Sequence, residues 1–112
     1  MSASVININE ALERIGGDKE FLFELLDEFA QQVDENLPLL KKAINDGDFD
    51  NIKLIAHSLR GAAGNLSINE MHQALTEIEA LVSSRENAKM ALFLDKIDAQ
   101  QSDLRGFLKE QS

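Results

Sequence analysis

From Leu22 to Ile44 an apolar residue recurs every three or four positions, through Leu25, Leu26, Phe29, Val33, Leu37 and Leu40. At about 100° per residue these fall on one stripe, so the stretch predicts a helix over 19–46 with a single face to bury. Asp18 is placed to cap its start, and Asp46-Gly47 to end it. Pro38 lies inside, where it removes one backbone hydrogen bond and crowds the preceding turn. A kink near Asp34 is therefore expected, with a break into two helices as the lesser outcome. A long one-sided helix of this kind needs other helices to cover it.

The remaining chain provides them. Asn7-Ile8-Asn9-Glu10 sets an N-cap residue three positions before a glutamate, opening a short helix over 8–15 that buries Ile8, Leu12 and Ile15 and stops at Gly16-Gly17. Asp48 caps a third helix over 49–65. Ser67-Ile68-Asn69-Glu70 has the form of a capping box for a fourth helix over 68–83, with Leu66 and Met71 as its hydrophobic staple. That helix should bury Met71, Leu75, Ile78, Leu81 and Val82, and a last helix over 87–110 should bury Phe93, Leu94, Ile97, Leu104 and Leu108. Phe21 and Phe23 are expected to cover the first helix. No segment alternates with period two. The expected fold is all-α, an antiparallel four-helix bundle with the short extra N-terminal helix packed at one end, and one domain over residues 1–112.

The third helix carries the chemistry. Ile52, Ile55, Ala56, Leu59, Ala62, Ala63 and Leu66 form its core face, which turns His57 toward solvent on the opposite side. Lys53 lies one turn before His57, Arg60 three residues after it, Gly61 one turn after it and Gly64 three residues further. Glycine inside a helix costs about 1 kcal/mol relative to alanine, so two on an outward face suggest that something approaches the backbone there. A phosphoryl group on the ring, with a second protein behind it, needs such clearance. Backbone N–H groups in mid-helix are already bonded, which leaves the side-chain cations Arg60 and Lys53 to hold phosphate oxygens. Leu54 and Ser58 beside His57 complete the expected docking surface. His72 has no comparable surroundings and is taken as a surface side chain. The acidic residues Glu10, Glu13, Asp46, Asp48 and Asp50 are taken as caps and solvated faces, since the run at 46–50 is too short for a calcium loop.

Several function classes drop out. Eleven basic against twenty acidic residues give a net charge of −9, which opposes binding to nucleic acid. There is no cysteine for a disulfide or thiolate metal site. No apolar run approaches ~18 residues, and the first fifteen residues lack a basic leader followed by a hydrophobic stretch. The expectation is a cytoplasmic protein that binds no membrane, and the opening methionine favours a free-standing chain over an excised domain of a hybrid kinase. A di-iron bundle would need Glu-x-x-His pairs, and nucleotide binding a glycine-rich loop with lysine; neither occurs. Any phosphate this chain moves must come from a protein.

The run AHSLRGAAGNLS resembles the motif of histidine-containing phosphotransfer (HPt) domains, the carriers of multistep two-component relays. His57, Arg60, Gly61, Gly64, Asn65 and Leu66 match that motif position by position, with Arg60 where lysine is frequent. Gly16-Gly17-Asp18 and the run FLFELLDEF are also similar to the family, so the resemblance covers nearly the whole chain. It implies a monomeric carrier without kinase activity of its own, whose His57 takes phosphate from the aspartyl phosphate of a response-regulator receiver domain and passes it to another receiver aspartate. A hybrid histidine kinase is a further candidate partner. The resemblance also implies that this domain binds no cofactor, that the receiver brings a divalent metal, and that the ring nitrogen farther from the backbone is phosphorylated. A position that holds glutamine facing the imidazole in some members falls on Glu79, a candidate neighbour of His57; a carboxylate there favours imidazolium and opposes the phosphorylated form. The alternative is a helical module that binds receivers without accepting phosphate.

Overall fold

The computed structural model describes residues 5–111, so the expected domain over 1–112 extends past the described residues at 1–4 and 112. Among the described residues five helices follow one another: α1 Ile8–Ile15, α2 Lys19–Asp46, α3 Phe49–Asn65, α4 Asn69–Leu81 and α5 Asn87–Gln111. No strand occurs among the described residues. The early boundaries rest on side-chain caps. Asn7, Asp18 and Asp48 accept hydrogen bonds from the backbone N–H groups of Glu10, Phe21 and Asn51 respectively, each worth about 1 kcal/mol. α2 runs through Pro38 without a break into two helices.

α2 and α5 are neighbours, α3 packs on α2 and α4, and α4 packs on α5, which gives a square of four helices. The lengths explain the place of α1. The 28 residues of α2 span about 42 Å at 1.5 Å per residue, matching the 40 Å long axis of the molecule. Those 17 of α3 reach only about 25 Å, so the N-terminal part of α2 would stand uncovered. α1 closes that end, tied to the α3–α4 turn by Asn7 N–H donating to the Ser67 carbonyl at 3.1 Å. Val5 and Ile6, which no helical pattern marks, are buried in the same place.

Three local expectations are corrected. Ser67 does not cap α4: its neighbour Ile68 is the N-cap residue, without a side-chain cap bond, and the helix spans 69–81 rather than 68–83. Ser67 instead adopts the left-handed conformation, φ 57°, as α3 closes through the Ile68 N–H to the Ala63 carbonyl. Its fully buried hydroxyl donates to Glu10 Oε1 at 2.8 Å. Phe23 stacks on Phe107 of α5, with centroids 5.9 Å apart, while Phe21 is exposed. Ile8, Leu12, Ile15, Phe93, Leu81 and Val82 are only partly buried; Ala11, Met90, Ile68 and several alanines of α2 and α4 take the enclosed positions.

Candidate functional site

Because Ile52, Ile55, Ala56, Leu59 and Ala63 point α3 into the core, the opposite side of the helix faces out. The His57 side chain there is 63% exposed. Glu79 of α4 comes up beside it, and Arg60, one turn along α3, closes a triangle. Glu79 Oε2 lies 3.1 Å from His57 Nδ1, Arg60 Nη2 lies 3.0 Å from the same nitrogen, and Arg60 Nε lies 3.0 Å from Glu79 Oε1. The last contact is an ion pair without hydrogen-bond alignment, since Arg60 Nε has no hydrogen-bond acceptor. Arg60 thus contacts both Glu79 and the ring in this arrangement.

The triangle has a chemical consequence. A carboxylate only accepts hydrogen bonds and a guanidinium only donates them, so one neutral imidazole nitrogen can serve Glu79 or Arg60 but not both. With the proton on Nδ1, the ring donates to Glu79 and Nε2 keeps a lone pair. With Arg60 donating to Nδ1, the proton sits on Nε2 and no nucleophile faces solvent. Among the described residues nothing bonds to Nε2.

The two glycines divide. A Cβ on Gly61 would meet nothing within 4 Å, so that surface beside His57 is open. On Gly64 it would lie 3.0 Å from His72 Nδ1 and 3.2 Å from His72 Cε1. The clearance at Gly64 is filled from within by His72, which corrects its reading as room for a partner. It also corrects His72 as an idle surface residue: the half-buried ring contacts the Arg60 carbonyl through Nδ1 at 3.0 Å. A carbonyl only accepts, so His72 Nδ1 carries the proton and donates. No spacing rule finds this pair, because Gly64 and His72 lie on two helices whose relative register the α3–α4 turn sets.

Lys53, Leu54 and Ser58 are exposed on the His57 side, Leu54 at 69%. Lys53, Arg60 and Glu79 line a groove of about 640 Å³ that runs from the site toward the start of α3. Among the described residues no three histidine, aspartate or glutamate side chains are grouped to hold a metal ion, and no helix is long and apolar enough to cross a membrane.

Comparison with known proteins adds to this geometry. The Hpt domain family matches residues 24–110, a span containing the whole triangle. The chain is 27% identical over 94 residues to the phosphorelay intermediate protein rdeA of Dictyostelium discoideum, an alignment covering 84% of this chain and 37% of that protein. The chain therefore spans well under half of the relative's length. No solved structure matches it significantly.

Proposed function

Because the chain belongs to the Hpt domain family, a family of phosphotransfer carriers in phosphorelays, we propose that His57 is its phosphoryl-accepting residue. The observation that carries this reading is the exposed ring with Glu79 at Nδ1 and no described residue bonded to Nε2. In the tautomer that donates Nδ1–H to Glu79, the Nε2 lone pair attacks the phosphorus of an aspartyl phosphate on a receiver domain. The N–P bond forms as the P–O bond to the aspartyl carboxyl breaks, and the carboxylate leaves with the electron pair. The proton stays on Nδ1, so the ring gains positive charge as the bond forms, and Glu79 is placed to stabilise that charge.

Glu79 sits at the nitrogen that does not bear the phosphoryl group, which supports it as a partner of the phosphorylated ring. The same positive charge disfavours the Arg60 contact to Nδ1. Arg60 then has donors to turn toward phosphoryl oxygens, with Lys53 as a second cation. Gly61 admits the receiver, and Leu54 and Ser58 meet its surface. In this reading the domain has no kinase activity, and the receiver supplies the divalent metal and the acidic pocket; most of the catalysis is positioning and charge neutralisation. The carrier returns phosphate to a second receiver aspartate by the reverse step.

The test is incubation with a radiolabelled phosphorylated receiver. Wild-type protein should gain label that is lost in acid and persists in base, as a phosphoramidate does. His57→Gln should gain none while its helical spectrum and melting temperature stay nearly unchanged, because the ring is exposed. Label uptake by the variant overturns the assignment. Undiminished receiver binding without uptake by wild-type protein would establish the pure binding module instead.

A further inference from the structure

We propose that Arg85, with Lys53, forms a docking patch for an acidic segment of the protein that exchanges phosphate with His57; the identity of that protein as a receiver rests on the reading above. The chain has eleven basic residues in a molecule of net charge −9. Arg14, Lys41, Lys42, Arg60, Lys89 and Arg105 each have a carboxylate within 4 Å. Among the described residues Lys19, Lys53, Arg85 and Lys96 have none, and of these Lys53 and Arg85 line the groove that Arg60 and Glu79 of the His57 triangle also line. Its carboxylates are Glu79, already paired with Arg60, and Asp50. Three cations against two anions make this wall positive on an acidic protein, which selects an acidic partner surface.

The backbone at Arg85 makes the same point independently. The turn after α4 closes with the Glu86 N–H directed at the Leu81 carbonyl, and Arg85 occupies the left-handed position, φ 56°. Glycine takes that position without strain and is the usual residue there. Arginine stands here at a position that penalises any side chain, which points to a use for the side chain. Its guanidinium is held 5.0 Å over the ring of Phe49, at the start of α3. Stacking orients the group without neutralising it and leaves its planar donors for a carboxylate. Phe49 lies eight residues before His57 on α3, about 12 Å along the axis. One partner footprint of roughly 800 Å² spans both.

Arg85→Gly removes the charge while supplying the residue the turn prefers, so it should fold with a melting temperature near that of wild type. With a phosphorylated receiver that labels the wild-type chain, Arg85→Gly should raise KM about three- to fivefold, more than it changes kcat, and should flatten the salt dependence of transfer. Arg85→Lys should recover part of the loss. If Arg85 only shields Phe49, Arg85→Gly lowers the melting temperature and leaves KM alone, which overturns the proposal. A titration with hexaglutamate, followed by backbone amide shifts, judges the patch apart from phosphate transfer. Shifts at Lys53 and Arg85 that vanish in Arg85→Gly support it; shifts elsewhere, or none, overturn it even if His57 accepts phosphate. Should no receiver label the chain, the proposed function fails and the titration alone decides the patch.

Discussion

On the α3/α4 side of the bundle one imidazole nitrogen stands within 3.1 Å of both a carboxylate and a guanidinium, whereas on the opposite side, between α2 and α5, the polar groups are shared out. There Gln101 Nε2 donates to the Ala30 carbonyl at 2.8 Å and to Asp34 Oδ1 at 2.9 Å. Arg105 donates through Nε and Nη2 to Asp34 Oδ2, and Lys41 pairs with Asp98 at 2.9 Å. In the α2/α5 seam the donors of Gln101, Arg105 and Lys41 all meet carbonyl or carboxylate oxygens, which can only accept, so the network has one arrangement and fixes two helices together. In the α3/α4 seam two partners compete for one nitrogen, so two arrangements are close in geometry and the proton on the ring can change place. Both seams cross a helix–helix boundary; only the second can present a nucleophile.

The largest effect that could break this contrast is at Glu79. Glu79→Ala leaves Arg60 as the remaining partner of Nδ1 and biases the proton toward Nε2. Transfer to the chain, measured in a single turnover at saturating receiver, should slow on the order of 10- to 100-fold, with the melting temperature little changed. An unchanged rate would mean that the tautomer does not matter and that the two seams differ only in exposure.

Next in size is Gln101→Ala. Gln101 is 6% exposed, and its truncation empties space in the α2/α5 seam and removes two hydrogen bonds. The expected loss is about 2 kcal/mol, read as a fall in melting temperature of about 10 °C, while transfer by the folded protein is unchanged. A large loss of transfer at temperatures where the variant is folded would show that the two seams are coupled.

Smallest is the pH dependence of the α2/α5 ion pair. The Arg105 hydrogen bonds hold the Asp34 carboxyl below its ordinary value of 3.8, against the opposing effect of partial burial and with help from Gln101. The unfolded chain therefore binds this proton more readily than the folded one. The stabilisation is present above about pH 4 and lost as pH falls through the lower folded value. Both side chains are nearly half exposed, so it amounts to at most about 1 kcal/mol. Comparing melting temperatures of wild type and Asp34→Asn between pH 6 and pH 2 should show a wild-type advantage that disappears in acid. A difference independent of pH would mean that the seam is held by shape and not by charge.

What was legible in the sequence follows from local geometry. A stripe such as Leu22 to Ile44 is both a helix and a face, and capping asparagine and aspartate fix where a helix begins, because those bonds reach only three residues. The same rule placed His57 outward and Lys53, Arg60 and Gly61 around it. Ser67 shows where this stops. By spacing it suits the start of α4, yet it closes α3 and bonds to Glu10 of α1, a choice made by a residue 57 positions away.

The sequence alone therefore determined the helices, their buried faces and the exposure of one histidine, all set within a turn or two of chain by the 3.6-residue period. The tertiary structure decided that Glu79 and Arg60 share His57 Nδ1, that His72 fills the space above Gly64, and that Arg85 reaches the groove over Phe49. These pairings depend on the rotation and axial offset of one helix against another. Those are set by the packing of whole side-chain layers, which spacing within either helix does not encode.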